Sequence, residues 1–317
     1  MSIDPAAFEA YRRSAGERAT LPRLIAGTLI IVIFWALSSL LVIVGGIFLV
    51  SRWQGDEAGM PDMASFSATP TGVLTVLASF CGIWIGAWIA MRLLHRERLS
   101  ALFGNSRRIS ASGFCKGAVA VLLTSVVSEV LIYLLHPEIG RGAIGISAWL
   151  AALVPIAALA FVQTSSEELL FRGYLPRGLA RRFRSPLVWA LLPLVAFTAL
   201  HWSPANSLAI NICVMVSIGA FAIVLMLLVY ATGNLGAAFG AHLANNLFGF
   251  LLISHQQSFN AFALFTAPPL EGPGWTPLDA ALLSLIGIAS SGLTALLLLH
   301  PRSPLKVEAD QAFPAKV

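Results

Sequence analysis

Residues 147–172, SAWLAALVPIAALAFVQTSSEELLFR, form an apolar run of membrane-crossing length that carries Glu167, Glu168 and Arg172. About 20 mainly apolar residues make a transmembrane helix, and a charge at the bilayer centre costs roughly 2.5–3.5 kcal/mol on insertion scales. Ionisable side chains in such a run must therefore partner one another or serve a function. Two later runs carry similar interruptions, His201 in FTALH and His242 with Asn246 in HLANN. Together they read as an active site.

The rest of the chain sets the environment. Its 317 residues are 57% hydrophobic and only 11% charged, with a mean hydropathy of +0.82, far from a soluble domain. The expected fold is an all-α polytopic transmembrane helical bundle of about eight spans, near 22–50, 71–94, 112–136, 147–170, 187–202, 207–231, 235–254 and 278–299. Residues 1–21 read as a cytoplasmic N-terminal segment, 22–300 as the bundle with its motif-bearing core at about 147–254, and 301–317 as a cytoplasmic tail. Pro304, Pro314 and mixed charges predict disorder in that tail. The first apolar run is too long for a signal peptide and reads as an uncleaved helix.

Basic residues cluster before the first span (Arg12, Arg13, Arg18, Arg23), between spans two and three, between spans four and five, and after the last. The alternate loops hold Asp56, Glu57, Asp62, Glu271 and Asp279 instead. This pattern predicts both termini in the cytoplasm, an integral multi-pass protein of a bacterial inner membrane, and a net charge of +5 that marks contact with the lipid bilayer and needs no nucleic-acid partner. Cys81, Cys115 and Cys213 have no pairing pattern and read as small buried hydrophobes. No internal repeat and no Gly-rich phosphate loop is evident.

Residues four apart share a helix face, so Glu168 stacks on Arg172, Phe197 on His201, and His242 on Asn246, while Glu167 is turned by about 100° toward another helix. Three polar stripes can then meet in one cavity. Depth fits for Glu167 and His201 only. His242 lies close to its own helix start, so the seventh helix must tilt or begin deeper, and Gly233, Asn234 and Gly236 would tolerate an inward-dipping start. A carboxylate and an imidazole sharing one water can remove its proton as it attacks a carbonyl, and an imidazole and an amide can donate to the developing oxyanion.

EELLFR followed by GY, FTALH and HLANN, in this order on successive late helices, resemble the EExxxR, FxxxH and HxxxN motifs of the CPBP (Abi) family of intramembrane proteases, which includes the CAAX prenyl endopeptidases and bacteriocin-immunity proteins. The resemblance covers roughly residues 160–250 and implies an endopeptidase acting on a membrane-associated peptide or protein substrate, prenylated or a leader peptide. It further implies that Glu167 with His201 activates water, that Glu168 and Arg172, with Phe197, organise the site, and that His242 and Asn246 stabilise the tetrahedral intermediate or help hold the nucleophile. Glu167, His201 and His242 would also supply a catalytic zinc set, yet Asn246 is a poor ligand and no HExxH is present, so direct activation and divalent-metal assistance stay open.

Rival readings are a proton-coupled transporter, whose inverted repeats are not visible, and a catalytically silent immunity or scaffold protein, which has no reason to accept so many buried polar groups. His95, His136, His255 and His300 read as solvated or interfacial. Glu129, inside the third span, could pair with a bundle Arg, line the cavity or belong to a proton path, and is left outside the site.

Overall fold

The computed structural model describes residues 5–54, 62–270 and 272–311; Asp56, Glu57, Glu271, Pro314 and Lys316 lie outside the described residues. Long apolar runs with few Gly or Pro interruptions fold as helices. In chain order they are α1 (Ala6–Arg13), α2 (Leu21–Gln54), α3 (Met63–Ser67), α4 (Pro70–Ser79), α5 (Cys81–Ile89), α6 (Ala111–Leu135), α7 (Ile146–Glu168), α8 (Leu175–Arg182), α9 (Leu192–Ala199), α10 (Leu208–Thr232), α11 (Gly236–Leu247) and α12 (Pro277–Leu299). Wide π-helical turns extend four of these, at Ala90–His95, Leu169–Tyr174, Leu187–Leu191 and Phe248–Leu252.

Among the described residues six helical stretches are long and apolar enough to cross a membrane: Leu21–Arg52, Pro70–His95, Ala111–Leu135, Ile146–Arg182, Leu208–Thr232 and Pro277–Leu299. The protein is therefore an all-α, multi-pass integral membrane protein. The expected count of eight full spans is corrected: Leu187–Ala199 is a shorter apolar helix, and α11 has only 12 residues. At 1.5 Å per residue α11 covers about 18 Å, against roughly 30 Å of bilayer hydrocarbon. Leu29, Leu37, Leu41 and Phe48 on α2 stand exposed, as a lipid-facing stripe requires.

Helix α11 is the enclosed centre. It packs on α6, α7 and α10, and α10 and α6 also pack on α12. Its approach to α6 is set by glycines: a Cβ at Gly240 would lie 1.9 Å from the Phe114 carbonyl oxygen, and one at Gly117 would lie 2.2 Å from that of Ala237. Small residues at such crossings let two backbones approach closely in a membrane.

The short length of α11 is compensated by where it begins. Gly233, at φ 63°, ends α10 in the left-handed conformation that a glycine adopts without strain, and Asn234 then fastens the turn. Asn234 Oδ1 accepts from the backbone N–H of Ser110 (3.1 Å) and Gly236 (2.8 Å), while Nδ2 donates to the Arg108 carbonyl (2.8 Å) and Asp310 Oδ2 (2.9 Å). Asp310 Oδ2 also accepts from Ser106 N–H, and Val307 is buried. The start of α11 is thus covered by residues 103–110 and by the C-terminal segment. That segment was expected to be disordered; residues 301–311 are mostly exposed but are instead tethered to the bundle, by the buried Val307 and by Asp310, whose backbone N–H caps the Thr232 carbonyl at the end of α10.

The N-terminal segment joins the same end of the bundle. In α1 Phe8 stacks near Trp189 and Tyr230, and the fully buried Tyr11 donates its hydroxyl to the Leu102 carbonyl at 2.5 Å. Burial pushes the Tyr11 hydroxyl up from its ordinary pKa, so it acts as a neutral donor. Arg177, one of the basic residues between the expected spans four and five, is buried and pairs with Glu97 at 2.8 Å and the Ser14 carbonyl at 2.7 Å. At the opposite end the strands β1 (Gly140–Arg141), β2 (Ile253–Ser254) and β3 (Phe265–Thr266) form a small sheet in the order β1-β3-β2. The three cysteines are free, and none is buried: Cys115 is exposed and the others half-buried. The expectation of burial is corrected because a lipid-facing surface accepts a small apolar side chain without cost.

Candidate active site

Each polar stripe sits beside a π-turn, a distortion frequent at functional sites. Glu167 and Glu168 end α7 just before Leu169–Tyr174, Asn246 precedes Phe248–Leu252, and Leu187–Leu191 precedes the short α9, which carries Phe197, with His201 in the turn that follows it. Glu168 is fully enclosed. Its Oε1 lies 2.9 Å from Arg172 Nη1 and accepts from His242 Nδ1 at 2.8 Å. The Arg172 guanidinium carbon stands 4.2 Å over the Phe197 ring, so the cation is held between a carboxylate and an aromatic face. Neither terminal nitrogen of Arg172 has a well-aligned acceptor among the described residues, and the attraction is coulombic more than directional.

Glu167 faces the other way, as its rotation from Glu168 requires. Its Oε1 accepts from Gln163 Nε2 at 2.6 Å, and its Oε2, without a hydrogen-bond partner among the described residues, lies 3.6 Å from His242 Nε2. That separation is too long for a direct hydrogen bond and suits a shared water. Asn246 Nδ2 donates to Gln163 Oε1 at 2.9 Å. Gln163 thus ties the Glu167 stripe to the Asn246 stripe, a role the sequence reading missed although it sits one turn before Glu167 on the same face. His201 Nδ1 lies 3.0 Å from the Phe197 carbonyl oxygen, which can only accept, so Nδ1 carries the proton and Nε2 is left for chemistry.

Gln163, Glu167, His201, His242 and Asn246 line one cavity of about 480 Å³. A second chamber of about 310 Å³ meets it at Gln163, Glu167, Phe197 and His201 and is walled by Trp35, Leu77, Phe80, Ile83 and Phe171. The site therefore stands at the junction of a cavity of mixed polar and apolar lining and a more strongly apolar chamber. Of the residues expected at the site, Glu168 and Arg172 do not line either cavity; they brace His242 and Phe197 from behind.

His255 and His95 differ from expectation, while Glu129 lines the cavity, one of the roles left open for it, and pairs with a histidine where an arginine was considered. His255 is not simply interfacial, since its Nε2 meets Glu129 Oε1 and Oε2 at 3.2 and 3.1 Å, and both residues line the 480 Å³ cavity. Glu129 pairs with a histidine 126 residues away, a partner no local pattern reveals. His95 is buried and hydrogen-bonded to the Tyr174 hydroxyl at 2.9 Å, where a solvated loop role was expected. Among the described residues no three His, Cys, Asp or Glu side chains converge to hold a metal ion, so the residues Glu167, His201 and His242 do not fit a zinc set as placed.

Residues 147–248 match the family model described as type II CAAX prenyl endopeptidase Rce1-like. The segment that carries the site is similar to that family. This bears out the resemblance read from the three motifs, and it is similarity to a family of proteases. Uncharacterized protein YyaK of Bacillus subtilis (strain 168) is 27% identical over 176 residues, 55% of this chain and 58% of that protein. The chain thus matches less than two thirds of that relative's length. No solved structure matches.

Proposed function

We propose that this protein is an intramembrane endopeptidase that hydrolyses a peptide bond in a membrane-associated substrate, a prenylated C-terminus or a leader-type peptide. The observation that carries this reading is the convergence of Glu167 on α7, His201 in the turn after α9, and His242 and Asn246 on α11 on one cavity that opens onto an apolar chamber. The apolar chamber suits the hydrocarbon part of such a substrate and the cavity of mixed lining its peptide.

In this mechanism a water bound between Glu167 Oε2 and the imidazoles loses its proton to Glu167 as its oxygen attacks the scissile carbonyl carbon. His201 Nε2 orients that water. The negative charge that develops on the carbonyl oxygen is met by the Asn246 Nδ2 hydrogen not used on Gln163 and by His242 Nε2–H when that ring carries both protons, flanked as it is by the carboxylates of Glu167 and Glu168. Glu168 supports the donor role of His242 by accepting from Nδ1–H. Collapse of the tetrahedral intermediate breaks the C–N bond, and the proton held by Glu167 passes to the departing amine. The basic residues clustered beside α1, α8 and the loop after His95 support a cytoplasmic location for both termini in a bacterial inner membrane.

The test compares membrane proteomes and purified protein, wild type against Glu167→Gln. A general base of this kind contributes about 10²–10⁴-fold, so turnover of a cleaved peptide should fall by that factor and one uncut membrane species should accumulate. Unchanged turnover by Glu167→Gln ends the proposal.

A further inference from the structure

The 480 Å³ cavity reaches well past the water-activating groups. It is also lined by Glu129 on α6, by His255, just after β2, and by the hydroxyl-bearing Ser125, Ser128, Ser290 and Thr294. Glu129 and Glu167 are the carboxylates among the described lining residues, and no lysine or arginine lines the cavity. Glu129 is buried within a membrane span, a placement that carries an insertion penalty and calls for a purpose. A side arm of about 240 Å³ opens at Ser128 and His255 and is walled by Ile132, Ile210, Val214, Leu283 and Ile286.

We infer that Glu129 is a specificity-determining residue, a subsite for a cationic side chain, lysine or arginine, of the peptide, with the apolar arm taking that residue's bulky aliphatic neighbour. The inference rests on the endopeptidase reading and names a substrate class for it. A carboxylate in a low-dielectric wall attracts a cation strongly and repels a carboxylate, so it selects by both signs. His255 Nε2 serves both Glu129 oxygens in the free protein and keeps that carboxylate from standing unpaired. It lies outside the helices, at the end of a two-residue strand, and can yield to an ammonium or guanidinium that binds in its place. A purely structural latch between α6 and the β2 end would affect every substrate equally, whereas a subsite affects only those with a charge to read.

The experiment uses full-length protein in detergent and matched fluorescent peptides carrying lysine, norleucine or glutamate at one scanned position, with an aliphatic neighbour. Binding is measured in the Glu167→Gln background and cleavage with Glu167 present, in each case with and without Glu129→Gln. At the best position lysine should be preferred over norleucine by roughly 10-fold or more in Kd and in kcat/KM. Glu129→Gln should bring the ratio close to one, Glu129→Asp should restore part of it, and His255→Ala should raise the preference by removing the competing partner. Because the ratio is read within one preparation, a partly misfolded variant does not obscure it. A ratio untouched by Glu129→Gln, or the absence of any lysine preference, overturns the subsite. If no peptide is cleaved while the Kd ratio still collapses with Glu129→Gln, the hydrolase reading fails and the subsite stands; cleavage without charge preference gives the reverse.

Discussion

Glu168→Gln keeps an acceptor for His242 Nδ1 and the volume of the side chain, and removes one charge from the most enclosed ion pair in the site. Glu168 and Arg172 are both buried, with Nη1 and Oε1 2.9 Å apart. Removing one partner of such a pair leaves the other charge uncompensated and costs about 3–5 kcal/mol. Arg172→Met, which keeps the stem packed near Phe197, should cost a similar amount for the mirror reason. Removing both charges should cost far less than either, within about 1–2 kcal/mol of wild type, because the desolvation penalty of the pair disappears with it. The assay is denaturant unfolding in mild detergent, followed by tryptophan fluorescence, for wild type, both single variants and the double variant. Additive losses, or a Glu168→Gln protein as stable as wild type, would refute the view that the pair is coupled and poorly hydrated. The double variant should fold yet turn over slowly, because an uncharged amide oxygen holds the His242 Nδ1–H less strongly than the carboxylate does.

Two other variants probe the frame of the site. Gln163→Ala strips Glu167 Oε1 of its 2.6 Å donor and Asn246 of its 2.9 Å acceptor. Peptide turnover should fall between roughly 5- and 100-fold, the equivalent of about 1–3 kcal/mol, and steady-state kinetics checks it. Gly240→Ala pushes a methyl against the Phe114 carbonyl and should lower stability by at least about 1–3 kcal/mol while dulling activity through displacement of His242. Gly292→Ala on α12, where a Cβ meets nothing within 4 Å, is the matched control, and its unfolding midpoint should hold or rise slightly.

Helix geometry alone explains why so much of the site could be read in advance. Glu168 and Arg172 are four residues apart and do stack; Glu167 is rotated away and does meet a different helix. The mismatch in depth at His242 was visible too, and Gly233 and Asn234 were the right place to look for its cause. The partners of Glu129, His95 and Asn234 were not legible, because each lies on a distant stretch of chain and is chosen by packing. The same holds for the tail, whose composition suggests disorder but whose Asp310 fills a polar gap that exists only once α10 and α11 are in place.

What the amino-acid order determined by itself is the local physics: apolar runs that must be helical in lipid, where every backbone group needs an internal partner, and polar stripes fixed by a 3.6-residue turn. What only the tertiary structure decided is which stripes share a cavity and which charged groups stand behind it. Glu167 and Glu168 are adjacent in sequence and chemically identical; the positions of His242, Arg172 and Gln163 around them place one at the cavity and seal the other in the bundle. Side-chain environment in a membrane protein is set by neighbours from other helices, and those are fixed by close crossings such as Gly240 on Phe114 that no single segment encodes.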